Sequence, residues 1–63
     1  MKRANTVEVT ATRVAETTNA ILIEHETAGK VWIPLSQVDE IHHKNGEVTL
    51  VMSTWIAEKK GLL

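Results

Sequence analysis

The first clear pattern runs from Thr6 to Thr12, Thr-Val-Glu-Val-Thr-Ala-Thr, with Val7, Val9 and Ala11 on one parity and polar residues on the other. A period of two belongs to a strand with one face in a core, so this segment predicts a first strand. The phase breaks at Val14, which falls on the opposite parity, as it would if a β-bulge or bend lay near Arg13. Thr17-Thr18-Asn19 then supplies turn chemistry. Ala20-Ile21-Leu22-Ile23 opens a second strand continuing through Glu24-His25-Glu26, apolar on both faces at one end and polar on both at the other. Thr27-Ala28-Gly29-Lys30 is a reversal whose glycine accommodates positive φ, and Val31-Trp32-Ile33 follows as a third strand, so residues 20–35 read as a hairpin. Pro34 has no N–H to give a ladder and either stops this strand or places it at a sheet edge.

Leu35-Ser36-Gln37-Val38 crosses to the next element through a turn, and Val38 to His42 fits either a short fourth strand or an irregular segment. Asn45-Gly46, between Lys44 and Glu47, favours the paired positive-φ conformations of a tight hairpin, and Glu47 to Met52 is the strand that follows it. Ser53 or Thr54 caps a helix from Trp55 to Lys60, with Lys59 and Lys60 in the last turn, where they complement the dipole, and Gly61 at the stop. So short a helix does not hold alone in water. It must dock, and Trp55, Ile56, Leu62 and Leu63 are the residues available for docking. The order predicts a mainly β single domain over residues 1–63: a small SH3-like or OB-like partly open barrel of four or five antiparallel strands with a short C-terminal helix.

Size changes the picture next. A chain of 63 residues buries only about 60% of the surface its unfolded form exposes, so its stability is marginal without a supplement. With no cysteine, disulfides and thiolate metal sites are excluded, which leaves self-association as the expected supplement and a homo-oligomer as the expected state. The basic start Met1-Lys2-Arg3 is followed by alternating Thr, Val and Glu rather than by an apolar stretch, and no run approaches a membrane span. A cytoplasmic protein without membrane contact is the expectation. Seven Lys and Arg against eight Asp and Glu give a net charge of −1, which lacks the electrostatic footprint that dominates nucleic-acid affinity. The cations Lys2, Arg3, Arg13, Lys44, Lys59 and Lys60 sit toward the ends, while Glu24, Glu26, Asp39 and Glu40 crowd the middle.

The chemistry-bearing residues are few. His25, His42 and His43, with Glu24, Glu26 and Glu40, are the residue types a metal could use, but they lack the spacing of metal motifs, and the adjacent pair points to opposite faces of an extended segment. Solvated histidines are the simpler reading, and no metal is expected. There is no Cys, no Tyr and no Gly-rich phosphate loop. Ser36 near His42 or His43 has no spacing that favours a nucleophile over a turn serine, so neither catalysis nor a cofactor is expected. Trp32 and Trp55 are the only aromatics; the helix placement favours a core role for Trp55, while Trp32 is equally suited to core and contact. Trp32 and its neighbours Val31 and Ile33 face opposite sides of one strand, and residues 20–23 are two-sided in the same way. A chain this short is not expected to cover a sheet twice, so the second face is a candidate interface. The candidate binding residues are Trp32, Arg13, Lys30 and Ile33.

Two segments, Val31-Trp32-Ile33-Pro34-Leu35-Ser36-Gln37-Val38 and Trp55-Ile56-Ala57-Glu58-Lys59-Lys60-Gly61-Leu62, resemble an uncharacterised family of small proteins encoded by bacteriophages and bacterial mobile elements. The resemblance spans residues 20–63 and departs from the family pattern at Leu35, where Lys is usual, and at Ser53-Thr54, where an acidic residue or Pro often precedes the second Trp. It implies a phage-type origin and a compact β fold, and it carries over no site residues. Very small phage proteins are often regulators, inhibitors of host or defence proteins, binders of signalling nucleotides or accessory factors of replication, all of which act by occupying a surface or a pocket. The expectation is therefore a non-catalytic module that binds and modulates a host or defence protein. The alternative is a nucleic-acid- or nucleotide-binding barrel, with Trp32 stacking on bases and Lys2, Arg3, Arg13, Lys59 and Lys60 on phosphates.

Overall fold

A computed structural model describes residues 5–63. Alternation in the sequence becomes five strands, β1 (Thr6–Glu16), β2 (Ala20–His25), β3 (Gly29–Pro34), β4 (Val38–Lys44) and β5 (Glu47–Ser53). A 3-10 turn, Leu35–Gln37, links β3 to β4, and the helix α1 (Thr54–Lys59) follows β5. The strands form one antiparallel sheet in the order β3-β2-β1-β5-β4.

β1 is central because it serves two neighbours in turn. Thr6 to Thr12 pair with β5, and Thr12 to Glu16 pair with β2. The handover falls where the phase breaks: Arg13 opposes Ile23, Ala15 opposes Leu22, and Val14 is the extra residue between them. A bulge bends its strand and raises the local twist, which lets the two halves of the sheet curl over one core. The Arg13 N–H, just after the split, donates to the Gly46 carbonyl at 3.0 Å, tying the bend to the β4–β5 turn. The edges β3 and β4 do not pair, so the result is a partly open barrel.

Inside the curl a single cluster joins Val9 and Ala11 of β1, Ile21 and Ile23 of β2, Ile33 of β3, and Val48, Leu50 and Met52 of β5 to Ile56, Ala57 and Leu62. Val51, on the other face of β5 between its Cα partners Glu8 and Glu40, is buried outside that cluster. The turn expected at Asn45-Gly46 is present, with φ of 50° and 83°, as a two-residue hairpin loop between paired Lys44 and Glu47. The ambiguous segment from Val38 is a strand; its register shift between Val38 and Glu40 is the irregularity that blurred its alternation.

α1 starts at Ser53, whose Oγ accepts from the Ile56 N–H at 3.3 Å. Its docking face differs from expectation. Ile56, Ala57 and Leu62 enter the core, whereas Trp55 is 59% exposed and Leu63 66% exposed. The core role expected for Trp55 is therefore corrected. Ala57 is fully buried and Ile56 nearly so, while Trp55, two residues or about 200° round the helix from Ala57, is turned outward.

Candidate functional site

The β2–β3 register sorts side chains between two faces. Residues directly opposite across an antiparallel pair share a face. Ile21 with Ile33 and Ile23 with Val31 point to the core, so Ala20 with Pro34, Leu22 with Trp32, and Glu24 with Lys30 stand on the outer face. The ladder to β1 extends two of these rows, because Ala15 pairs with Leu22 and Thr12 with Glu24. The outer face of β1, β2 and β3 thus carries an apolar row, Ala15–Leu22–Trp32, running to the sheet edge. A polar row, Thr12–Glu24–Lys30, lies beside it on one side and the pair Ala20 and Pro34 on the other.

Trp32 is 45% exposed and Val14, at the bulge beside Ala15, is 41% exposed; Ala15, Leu22, Ala20 and Pro34 are only partly covered. Large apolar side chains grouped on one face of a small domain, with polar residues at the rim, have the composition of a contact surface.

Of the four candidate binding residues, Trp32 and Lys30 share this face two positions apart on β3. Arg13 sits at the bulge, where its Nε lies 3.3 Å from Glu16 Oε1 in an exposed ion pair. Ile33 is fully buried in the core and presents nothing to a partner. Ala15, Leu22 and Val14 were not among the candidate binding residues, although residues 20–23 stood out as two-sided and Val14 as out of phase. The parity of Leu22 against Ile21 and Ile23 was visible, but nothing local revealed that β2 lies between β1 and β3.

His25 and His42 serve local contacts. His25 ends β2, and its Nδ1 accepts from the N–H groups of Thr27 and Ala28, each at 3.2 Å, so the side chain organises the β2–β3 loop. His42 Nε2 lies 3.1 Å from Glu40 Oε1 on the exposed side of β4. Among the described residues no group of three or more potential ligands could hold a metal ion. An open cleft of about 670 Å³ is lined by Glu24, Glu26 and Glu47 together with His25 and the threonines Thr10 and Thr12. Three carboxylates make it hostile to phosphate. A second exposed aromatic site lies at α1, where Lys59 Nζ stands 5.0 Å from the Trp55 ring centroid, beside a shallow cleft formed with Asn5, Ser53, Thr54 and Glu58. Lys2 and Arg3, expected to contact phosphates in the nucleic-acid reading, lie outside the described residues. Among the described residues no helix is long and apolar enough to cross a membrane.

No family model, no curated protein and no solved structure matches the chain.

Proposed function

We propose that the chain is a small non-catalytic binding module whose outer β1–β2–β3 face docks on an apolar patch of a partner protein. The observation that carries this reading is the apolar row Ala15–Leu22–Trp32, which crosses three strands and has no covering element among the described residues. The resemblance of residues 20–63 to phage and mobile-element proteins makes the partner a host or defence protein, whose activity the module alters by occupying its surface. Aromatic anchors within a polar rim are the usual source of binding energy in such contacts.

Nucleic-acid or nucleotide binding is the second reading, and Trp32 with Lys30 on one face is the observation in its favour. Against it stand Glu24, which is the Cα partner of Lys30 on that face, and the Arg13–Glu16 ion pair, which already engages a second cation.

The test is capture from nuclease-treated lysate with tagged wild type, Leu22→Glu and Trp55→Glu. A protein held in stoichiometric amount by wild type and Trp55→Glu but lost by Leu22→Glu supports the module. Retention by all three moves the contact away from this face. A nuclease-sensitive or nucleotide-containing capture replaces it with the second reading.

A further inference from the structure

The hydrogen-bond parity of the open β3 edge follows from one bond. The Leu35 N–H donates to the Asn19 carbonyl at 2.9 Å, one residue beyond each member of the Ala20–Pro34 pair. A bond that brackets a pair marks it as non-hydrogen-bonded, and the two kinds of pair alternate along an antiparallel ladder. Leu22–Trp32 and Glu24–Lys30 are consequently of the same kind. The N–H and C=O groups of Lys30 and Trp32, and the C=O of Pro34, therefore point away from β2 toward the edge. Among the described residues no backbone hydrogen bond satisfies these outward groups. Pro34 stands where its missing N–H removes no bond from the ladder.

We propose that this edge pairs with the same edge of a second copy, β3 antiparallel to β3 about a two-fold axis at Trp32. In that register Trp32 exchanges both backbone bonds with Trp32 of the second copy. At either end the Lys30 N–H donates to the Pro34 carbonyl across the axis. The two barrels then share one continuous sheet through an isologous contact.

Two observations favour a second copy over an unrelated strand, and one bond is forgone: Pro34 cannot donate, so the Lys30–Pro34 pair keeps only the bond from the Lys30 N–H and leaves the Lys30 carbonyl to water at the end of the ladder. Lys30 is the only charged residue of β3, and it meets Pro34 rather than its own copy, so no like charges oppose. The apolar row Ala15–Leu22–Trp32 ends at the edge on Trp32, and the axis sets Trp32 against Trp32 of the second copy, continuing the row across both sheets. The other edge, β4, is a poorer template for a second strand, with a register shift between Val38 and Glu40 and the polar run His42, His43 and Lys44. Pairing also supplies the stabilisation that a short chain without cysteine lacks. It makes the contact face a composite of two copies, a consequence that rests on the binding-module reading, whereas the pairing itself does not.

Because the chain has no cysteine, single-cysteine variants report the geometry cleanly. Cα atoms of a hydrogen-bonded antiparallel pair lie about 5.5 Å apart, within disulfide range. Trp32→Cys is expected to form a covalent dimer under mild oxidation. Lys30→Cys alone is expected to stay unlinked and to cross-link when mixed with Pro34→Cys. Leu22 and Leu22 of the second copy are three strand spacings apart, about 14 Å, so Leu22→Cys is expected not to link. Wild type is expected to scatter light with twice the 7.0 kDa mass of one chain. A wild-type monomer at millimolar concentration overturns the inference, and so does linking of Leu22→Cys, which would mean face-to-face packing. A wild-type dimer in which Lys30→Cys and Pro34→Cys fail to link overturns the register. Loss of partner capture in Leu22→Glu with Trp32→Cys still linking, or the reverse, separates the two readings.

Discussion

The Leu62 N–H donates to the Ala57 carbonyl at 2.8 Å, and the Gly61 N–H donates to Glu58 at 3.1 Å. Together these bonds close α1 as a Schellman turn, with Gly61 at φ of 75° in the left-handed position. The turn carries Leu62 back into the core against the fully buried Ala57, so the docking of a six-residue helix depends on how it ends as well as on what it buries. A Cβ at Gly61 would meet only the Ala28 Cβ at 3.9 Å, an ordinary contact. Gly61→Ala should therefore cost only the backbone penalty, about 1–2 kcal/mol. It should lower the urea midpoint without changing the slope of the transition.

The exposed and buried apolar residues should separate clearly in stability. Trp55→Ala removes an exposed ring and its contact with Lys59, a loss of about 0.5–1 kcal/mol. Ile33→Ala empties a fully buried position and should cost about 2–5 kcal/mol. That is comparable with the whole stability of so short a chain. Denaturant titration of both variants checks the reassignment of Trp55 from core to surface; equal losses would contradict it.

His25 should be replaceable by a side chain that accepts the same two bonds. Asn provides an oxygen with the reach of an Asx turn, so His25→Asn should keep the stability of the β2–β3 loop. His25→Ala should lose about 1 kcal/mol by leaving the Thr27 and Ala28 N–H groups to water. If the two variants are equally destabilised, the ring acts through packing instead.

The local signals were readable from sequence because each needs only neighbouring residues. Asn45-Gly46 pointed to a tight turn, Ser53 or Thr54 to a cap, Pro34 to a stop or an edge, and the parity slip at Val14 to a bulge or a bend; the structure has the tight turn, the Ser53 cap, an edge strand that ends at Pro34, and a bulge. What depends on distant parts of the chain was not readable. β1 exchanges partners at its bulge, and this places Ala15 beside Leu22 and completes the outer apolar row. The phase of α1 was equally hidden, because in six residues Trp55 and Ile56 both suit a docking position, and only the tertiary structure shows that the helix buries Ile56 and Ala57, with Leu62 after it, and leaves Trp55 outside. Ile33 was grouped with Trp32 by sequence proximity, although adjacent strand residues face opposite sides and the curl of the sheet buries its side.

The most direct test of the outer face as the contact surface is amide hydrogen exchange of the chain alone and with its captured partner. Added protection is expected in residues 13–16, 20–24 and 30–34, with α1 and the Trp55 surface unchanged. Protection centred on Thr54–Lys59 instead, with Leu22 and Trp32 exchanging as in the free protein, would contradict it.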